Sequence, residues 1–223
     1  EGQSREHAQD YTACEFYQAY ADYTDGMKTV RDLYLHVVDT VYGKRTFEIQ
    51  GENIDFGGEW PVIDYVSTLN ERFGINPITS SETEVFAAVK KAGIPLEAGA
   101  NKARAVDVLW KSIRKEFKGP AFLINTPVYL EPLAKRKEDM PEVVQRFQVL
   151  LLGSAMGQGF SELNDPLDQK GRFDEQQAMR DAGDEEAQRL DMEFIEALEY
   201  GMPPAFGFGV SERLFSILEG KSI

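Results

Sequence analysis

The stretch QRFQVLLLGSAMGQGFSELNDPLDQ, residues 145–169, sets the architecture of this chain. Its first part, FQVLLLG, is the most apolar run in the sequence and reads as a buried strand. Gly153 and Ser154 interrupt that run, so the spacing predicts a hairpin with a second strand ending near Leu163. Asp165 then offers a cap and Pro166 a first helical position, opening a helix that Gly183 closes. Glu162 raises a chemical question at the end of the second strand. A carboxylate held between Phe160 and Leu163 costs several kcal/mol to desolvate unless it meets a cation or a set of donors.

Working outward, residues 13–42 place Phe16, Tyr20, Tyr23, Met27, Val30, Tyr34, Val37 and Val41 three or four apart. This spacing predicts one long amphipathic helix with a possible break at Gly26. TFEIQGENIDFGG alternates around Gly51 and reads as two short strands joined at a turn. Residues 62–73, 81–92 and 102–117 read as helices, the second opening on the capping sequence SSETE. GPAFLINTP and AFGFGV read as strands, and DMEFIEALEYG and SERLFSILEG as helices. Strands and helices do not alternate steadily, which favours an α+β fold, an antiparallel or mixed sheet flanked by helices, over a doubly wound parallel sheet. GFGVSER lacks the third glycine and the following strand of a dinucleotide loop.

With 223 residues, 42% hydrophobic and 28% charged, the chain has the composition of a single globular core. The formal charge of −14 supplies no basic surplus for nonspecific polyanion binding. Local basic clusters (Lys90 and Lys91; Lys111, Arg114, Lys115 and Lys118; Lys135 to Lys137) read as solvated faces. His36 reads as a residue of the helix surface or core. The apolar runs fall far short of the roughly 20 residues a membrane helix needs. The one cysteine, Cys14, offers neither an internal disulfide nor a zinc site, which suits a reducing compartment and makes cytoplasm the expected location.

Several segments, taken in order, resemble one family. EGQSREHAQDYTACEFYQAYADYTDGM is similar to the second motif of class II aminoacyl-tRNA synthetases and the helix after it. EYGMPPAFGFGVSERLF resembles their third motif. PVYLEPLAK and GQGFSELNDPLDQKGRF resemble the lysyl-tRNA synthetases in particular. The resemblance is collinear over almost the whole chain and implies a class II catalytic-domain fold over residues 1–223. It also implies activation of L-lysine by ATP to lysyl-adenylate and transfer to tRNA(Lys). Glu162 then matches the glutamate that binds the lysine ε-ammonium, Tyr17 a tyrosine bonded to the same group, and Phe160 the aromatic along the methylene stem. Glu15 adds a second carboxylate. Glu1 matches the glutamate that reads the adenine amino group, His7 a histidine near the γ-phosphate, Tyr11 an aromatic under the adenine, and Arg213 the motif 3 arginine over the nucleotide. No protein nucleophile is needed, because the lysine carboxylate attacks the α-phosphorus in line; catalysis is positioning and electrostatic relief.

The sequence departs from that pattern at three points. Two metal-binding acids of the family fall at Gln148 and Ala155, and neither side chain replaces a hard-cation carboxylate. Mg²⁺ is therefore expected to be held mainly through the phosphates of ATP. Gln158 stands where an asparagine is usual, with the same kinds of hydrogen bond. The chain begins inside motif 2, so motif 1, the motif 2 arginine and the anticodon-binding barrel lie outside it; a truncated catalytic domain of a longer, homodimeric protein is the expectation. Two further readings are a paralogue that lysylates a protein and a synthetase-like lysine-binding or regulatory protein without adenylation. Gln148 and Ala155 favour the latter, and Arg213, His7 and Tyr11 oppose it.

Overall fold

The computed structural model describes residues 10–97, 99–183 and 187–221. The hairpin predicted from residues 145–163 forms as β6 (Arg146–Leu151) and β7 (Ser154–Ser161), turning at Leu152 and Gly153. Their register sets Arg146 opposite Phe160 and Gln148 opposite Gln158, with a bulge between Gln148 and Leu150. β5 (Ala121–Ile124) and β4 (Val62–Asp64) extend the sheet on one side, β8 (Ala205–Ser211) and β1 (Ala13–Ala19) on the other, in the order β1-β8-β7-β6-β5-β4. All neighbours are antiparallel except β4 and β5. A separate hairpin, β2 (Thr46–Ile49) with β3 (Glu52–Asp55), matches the turn read at Gly51.

Two expected helices are shorter than their periodicity suggests. Residues 13–42 divide into β1 and α1 (Tyr23–Tyr42), because Asp22 caps the helix through the amides of Thr24 and Asp25 and Asp25 answers back. The apolar spacing of Phe16, Tyr20 and Tyr23 runs across that cap by coincidence; residues 13–19 instead pair with β8 over their whole length. Gly26 does not break α1. It gives room to the Phe206 ring, which a Cβ at Gly26 would overlap. Residues 62–73 likewise divide into β4 and α2 (Tyr65–Phe73), with Asp64 capping through the Ser67 amide.

The remaining helices stand where expected: α3 (Glu82–Lys91) with its Ser81–Glu84 capping box, α4 (Lys102–Ile113) followed by a 3₁₀ turn, α5 (Pro166–Asp181) capped by Asp165, α6 (Met192–Glu199) and α7 (Arg213–Leu218). Strand alternation divides the core between the two faces of the sheet. Phe122, Phe147, Val149, Leu151, Phe206 and Phe208 pack with Val30, Tyr34 and Val38 of α1. Leu123 and Leu150 point the other way, into Leu69, Val85, Leu109 and Trp110 of α2, α3 and α4. Those three helices cover the β4–β6 end of that face.

Candidate active site

The strand β8 reads AFGFGVS, and its alternation builds the site. Phe206 and Phe208 are buried against α1, so Gly207 and Gly209 face the opposite side. Antiparallel register then lays two rows across that face: Tyr17, Gly207, Phe160 and Arg146, and beside it Glu15, Gly209, Gln158 and Gln148. The glycines leave a trough about 9–10 Å across, two strand spacings, between the side chains of β1 and β7. A Cβ at Gly207 would overlap Glu162 Oε1 and come to 2.8 Å from Tyr17 Cε1, so both side chains lean over the same bare backbone. Glu15 lies over Gly209 in the same manner, its Oε1 3.8 Å from a Cβ there.

Glu162 stands one residue beyond β7 and is held by its backbone on two sides. Its amide donates to the Ala205 carbonyl at 2.9 Å, and it bridges Ala134 in the segment 131–137. The other polar side chains of residues 159–169 each serve the scaffold. Ser161 Oγ accepts from the Tyr23 amide at the start of α1, and Asn164 Nδ2 donates to the Met202 carbonyl. Asp165 caps α5, Asp168 pairs with Arg172 and Arg136, and Gln169 Nε2 donates to the Pro132 carbonyl. Among the described residues, the Glu162 carboxylate has no hydrogen-bond donor and no cation. Burial pushes its pKa up to about 7. The Tyr17 hydroxyl is pushed up as well, first by the charge of Glu162, then by burial, then by Glu15, which places all three groups around one space.

Sequence reasoning missed a buried ion pair at the inner end of these rows. Arg146 Nη2 lies 3.0 Å from Glu131 Oε1 and donates to Gln158 Oε1 at 2.6 Å, while Nη1 donates to Thr126 Oγ1 at 3.3 Å. Burial drives the Glu131 carboxyl up and the Arg146 guanidinium down, each opposed by the other's charge. Nothing in QRFQV marks its arginine as interior, since Arg is almost never fully buried without a partner and the partner is remote in sequence. The glycines of AFGFGV did carry a signal, because glycine inside a strand marks a close approach.

The two positions where the family's metal acids fall carry no carboxylate here. Gln148 is a neutral amide in the row of Gln158, and Ala155 lies beyond the bulge, opposite Leu150. No cluster of three or more His, Cys, Asp or Glu suited to a metal occurs among the described residues.

At the other end of the trough, the Glu212 amide donates to the Thr12 carbonyl at 3.1 Å, bringing Tyr11 and Arg213 to the same end of the β1–β8 pair. Tyr11 is exposed and Arg213 opens α7. Glu1 and His7 lie outside the described residues. His36 is on the exposed face of α1. An open groove of about 1480 Å³ runs between the start of α4 and the end of α5, past Asn101, Tyr129 and Glu175, and none of the predicted site residues lines it. No described helix is long and apolar enough to cross a membrane.

Comparison with known proteins identifies the family. The chain is 39% identical over 219 residues to a protein named lysine–tRNA ligase from Thermotoga maritima, covering 98% of this chain and 43% of that protein. It is 42% identical over 212 residues to the lysine–tRNA ligase of Roseiflexus castenholzii, covering 94% and 43%. For the lysine–tRNA ligase of Pelotomaculum thermopropionicum the identity is 41% over 227 residues, covering 100% and 45%. The chain thus spans less than half the length of these curated relatives. Residues 1–223 match the family described as tRNA synthetases class II (D, K and N), and the chain belongs to that family.

Proposed function

We propose that residues 1–223 form part of the catalytic domain of a lysine–tRNA ligase, which activates L-lysine with ATP and transfers it to tRNA(Lys). The observation that carries this reading is Glu162: the one polar side chain of the 159–169 segment without a protein partner among the described residues, half-buried over Gly207. Such a carboxylate is stabilised by a ligand that brings a cation. Within a family that handles aspartate, lysine and asparagine, two carboxylates around the trough repel the side chain of aspartate, and an amide side chain would leave the charge of Glu162 unmatched. Lysine supplies an ammonium at the end of an apolar stem, and Phe160 borders the path of that stem.

In the reaction, a lysine carboxylate oxygen attacks the α-phosphorus of ATP, the bond to pyrophosphate breaks, and pyrophosphate leaves. A ribose hydroxyl at the 3′ end of tRNA then attacks the acyl carbon and AMP leaves. The chain's own contribution is positioning: Glu162, Tyr17 and Glu15 hold the ammonium, Gln158 and Phe160 border the rest of the amino acid, and Tyr11 and Arg213, with Glu1 and His7, serve the nucleotide. Mg²⁺ enters this reading mainly as the counter-ion that ATP carries, since Gln148 and Ala155 offer it no carboxylate. The reading carries with it a cytoplasmic homodimer working in translation.

The test is amino-acid-dependent exchange of pyrophosphate into ATP by the full-length protein, run with lysine, aspartate and asparagine separately. Exchange with lysine only is expected, and exchange driven by aspartate or asparagine would overturn the assignment. The absence of the metal acids favours a second reading, a lysine-binding regulator without adenylation; lysine binding with no exchange for any amino acid would establish it.

A further inference from the structure

We propose that Arg146 is a positioning residue that fixes the polarity of the Gln158 carboxamide, so that the trough presents an N–H donor at that point and requires an acceptor there, the carboxylate of the amino acid. This rests on the lysine reading above and adds the group that orients the ligand end for end.

A glutamine side chain can present either oxygen or nitrogen to a given neighbour. Arginine has five donors and no acceptor, so the atom 2.6 Å from Arg146 Nη2 is the Gln158 oxygen. Turning the amide over would set two donors face to face and remove a charge-assisted bond. Arg146 cannot follow, because it is buried and tied to Glu131 and Thr126. Gln158 itself is exposed on the trough side, and its amide nitrogen makes no hydrogen bond among the described residues. That nitrogen therefore faces the ligand as a donor.

Gln158 and Glu162 lie on the same face, four residues apart and roughly 13 Å along the strand direction. Phe160 stands between them on that face. Glu162 thus sets an acceptor at one point of the trough and the Gln158 nitrogen a donor at another, the polarity of an amino acid with a cationic side chain laid along β7. The signal is absent from the local sequence, since any glutamine there looks bipolar until the guanidinium behind it is placed.

The experiment uses the full-length protein and calorimetric dissociation constants for two ligands, L-lysine and 1,5-diaminopentane, which keeps the side-chain ammonium and lacks the carboxylate. The variants are Gln158→Ala, the paired Arg146→Met with Glu131→Leu, which leaves no unmatched buried charge, and the three changes together. Gln158→Ala and the paired variant are each expected to weaken lysine about tenfold while leaving diaminopentane within about twofold, and the triple variant to lose no more than either (tenfold being about 1.4 kcal/mol). Equal loss of both ligands in the paired variant, or unchanged lysine affinity in either variant, would overturn the proposal. If the paired variant does not fold, Arg146→Lys decides: a loss confined to lysine supports the proposal, and equal losses for the two ligands overturn it. Should the unmodified protein bind neither ligand, the lysine reading fails and this inference with it; lysine bound no better than diaminopentane overturns only the role of Arg146 and Gln158.

Discussion

The Glu162 carboxylate lies directly over the backbone of Gly207, in the space that any side chain at residue 207 would occupy. The trough is therefore defined by a missing Cβ. Gly207→Ala should leave the fold in place, because the atoms its methyl meets are the mobile ends of Glu162 and Tyr17. Lysine affinity should fall at least tenfold while the melting temperature moves by only a few degrees; calorimetric titration beside a thermal melt reads both.

Gly159→Ala reports the other face of the same sheet. A methyl there would approach the Phe206 ring to 2.7 Å and the Gly207 carbonyl to 2.9 Å, inside the core against α1. Overpacking of this kind costs about 1–3 kcal/mol. Urea denaturation should show that loss with the lysine affinity of the surviving folded protein little changed.

Glu162→Gln should separate binding from stability. Lysine affinity should fall about a hundredfold or more, since the ammonium would be desolvated against a neutral amide. The unliganded protein should become more stable at pH 8, by about 1 kcal/mol once the partial exposure of the group is discounted. A variant with lower stability and intact lysine affinity would remove Glu162 from the pocket.

The same group sets a pH dependence. Its pKa is raised to about 7 in the folded protein, so its contribution to stability is full below the unfolded value near 4.5 and is lost as pH rises through 7. Lysine binding runs the opposite way, because the ammonium needs the ionised carboxylate. Affinity should rise by up to about tenfold per pH unit from pH 5 to 7 and level off above. The slope should vanish in Glu162→Gln, measured by titration at matched ionic strength.

Asp168 predicts the acid limb of stability. Burial alone would raise its carboxyl, but the hydrogen bond and charge of Arg172, joined by Arg136, outweigh burial and hold it below its ordinary value. Its stabilising contribution is thus present above the unfolded value and is lost as pH falls through the lower folded one. Asp168→Asn should weaken the attachment of α5 to residues 131–136 and flatten the stability profile at acid pH. An acid limb unchanged from the parent protein would show that this ion pair does not govern it.

The hairpin of β6 and β7, the helix opened by Asp165 and Pro166, and the capping box of Ser81 and Glu84 were legible because turn and cap chemistry is local. Residues 13–42 and 62–73 misled for a related reason. A strand entering a helix can continue an apolar period of three or four, and only the capping bonds of Asp22 and Asp64 mark where the conformation changes. The residues proposed to face lysine, Glu15, Tyr17, Phe160 and Glu162, were reached through motif resemblance, and the sheet register with the Glu162–Ala205 backbone bond then set them around one trough.

Residue order therefore held the elements, the absence of family metal acids at Gln148 and Ala155, and the identity of the groups around the site. Spatial folding supplied the rest. That β8 turns its phenylalanines to α1 and its glycines to the trough depends on pairing with β1 and β7 from distant parts of the chain. That Glu131 meets Arg146, and Arg146 in turn Gln158, depends on the segment 131–137 and two strands brought together across the sheet. Long-range partners of this kind leave no local pattern, because burial and charge pairing are properties of the packed state rather than of neighbouring residues.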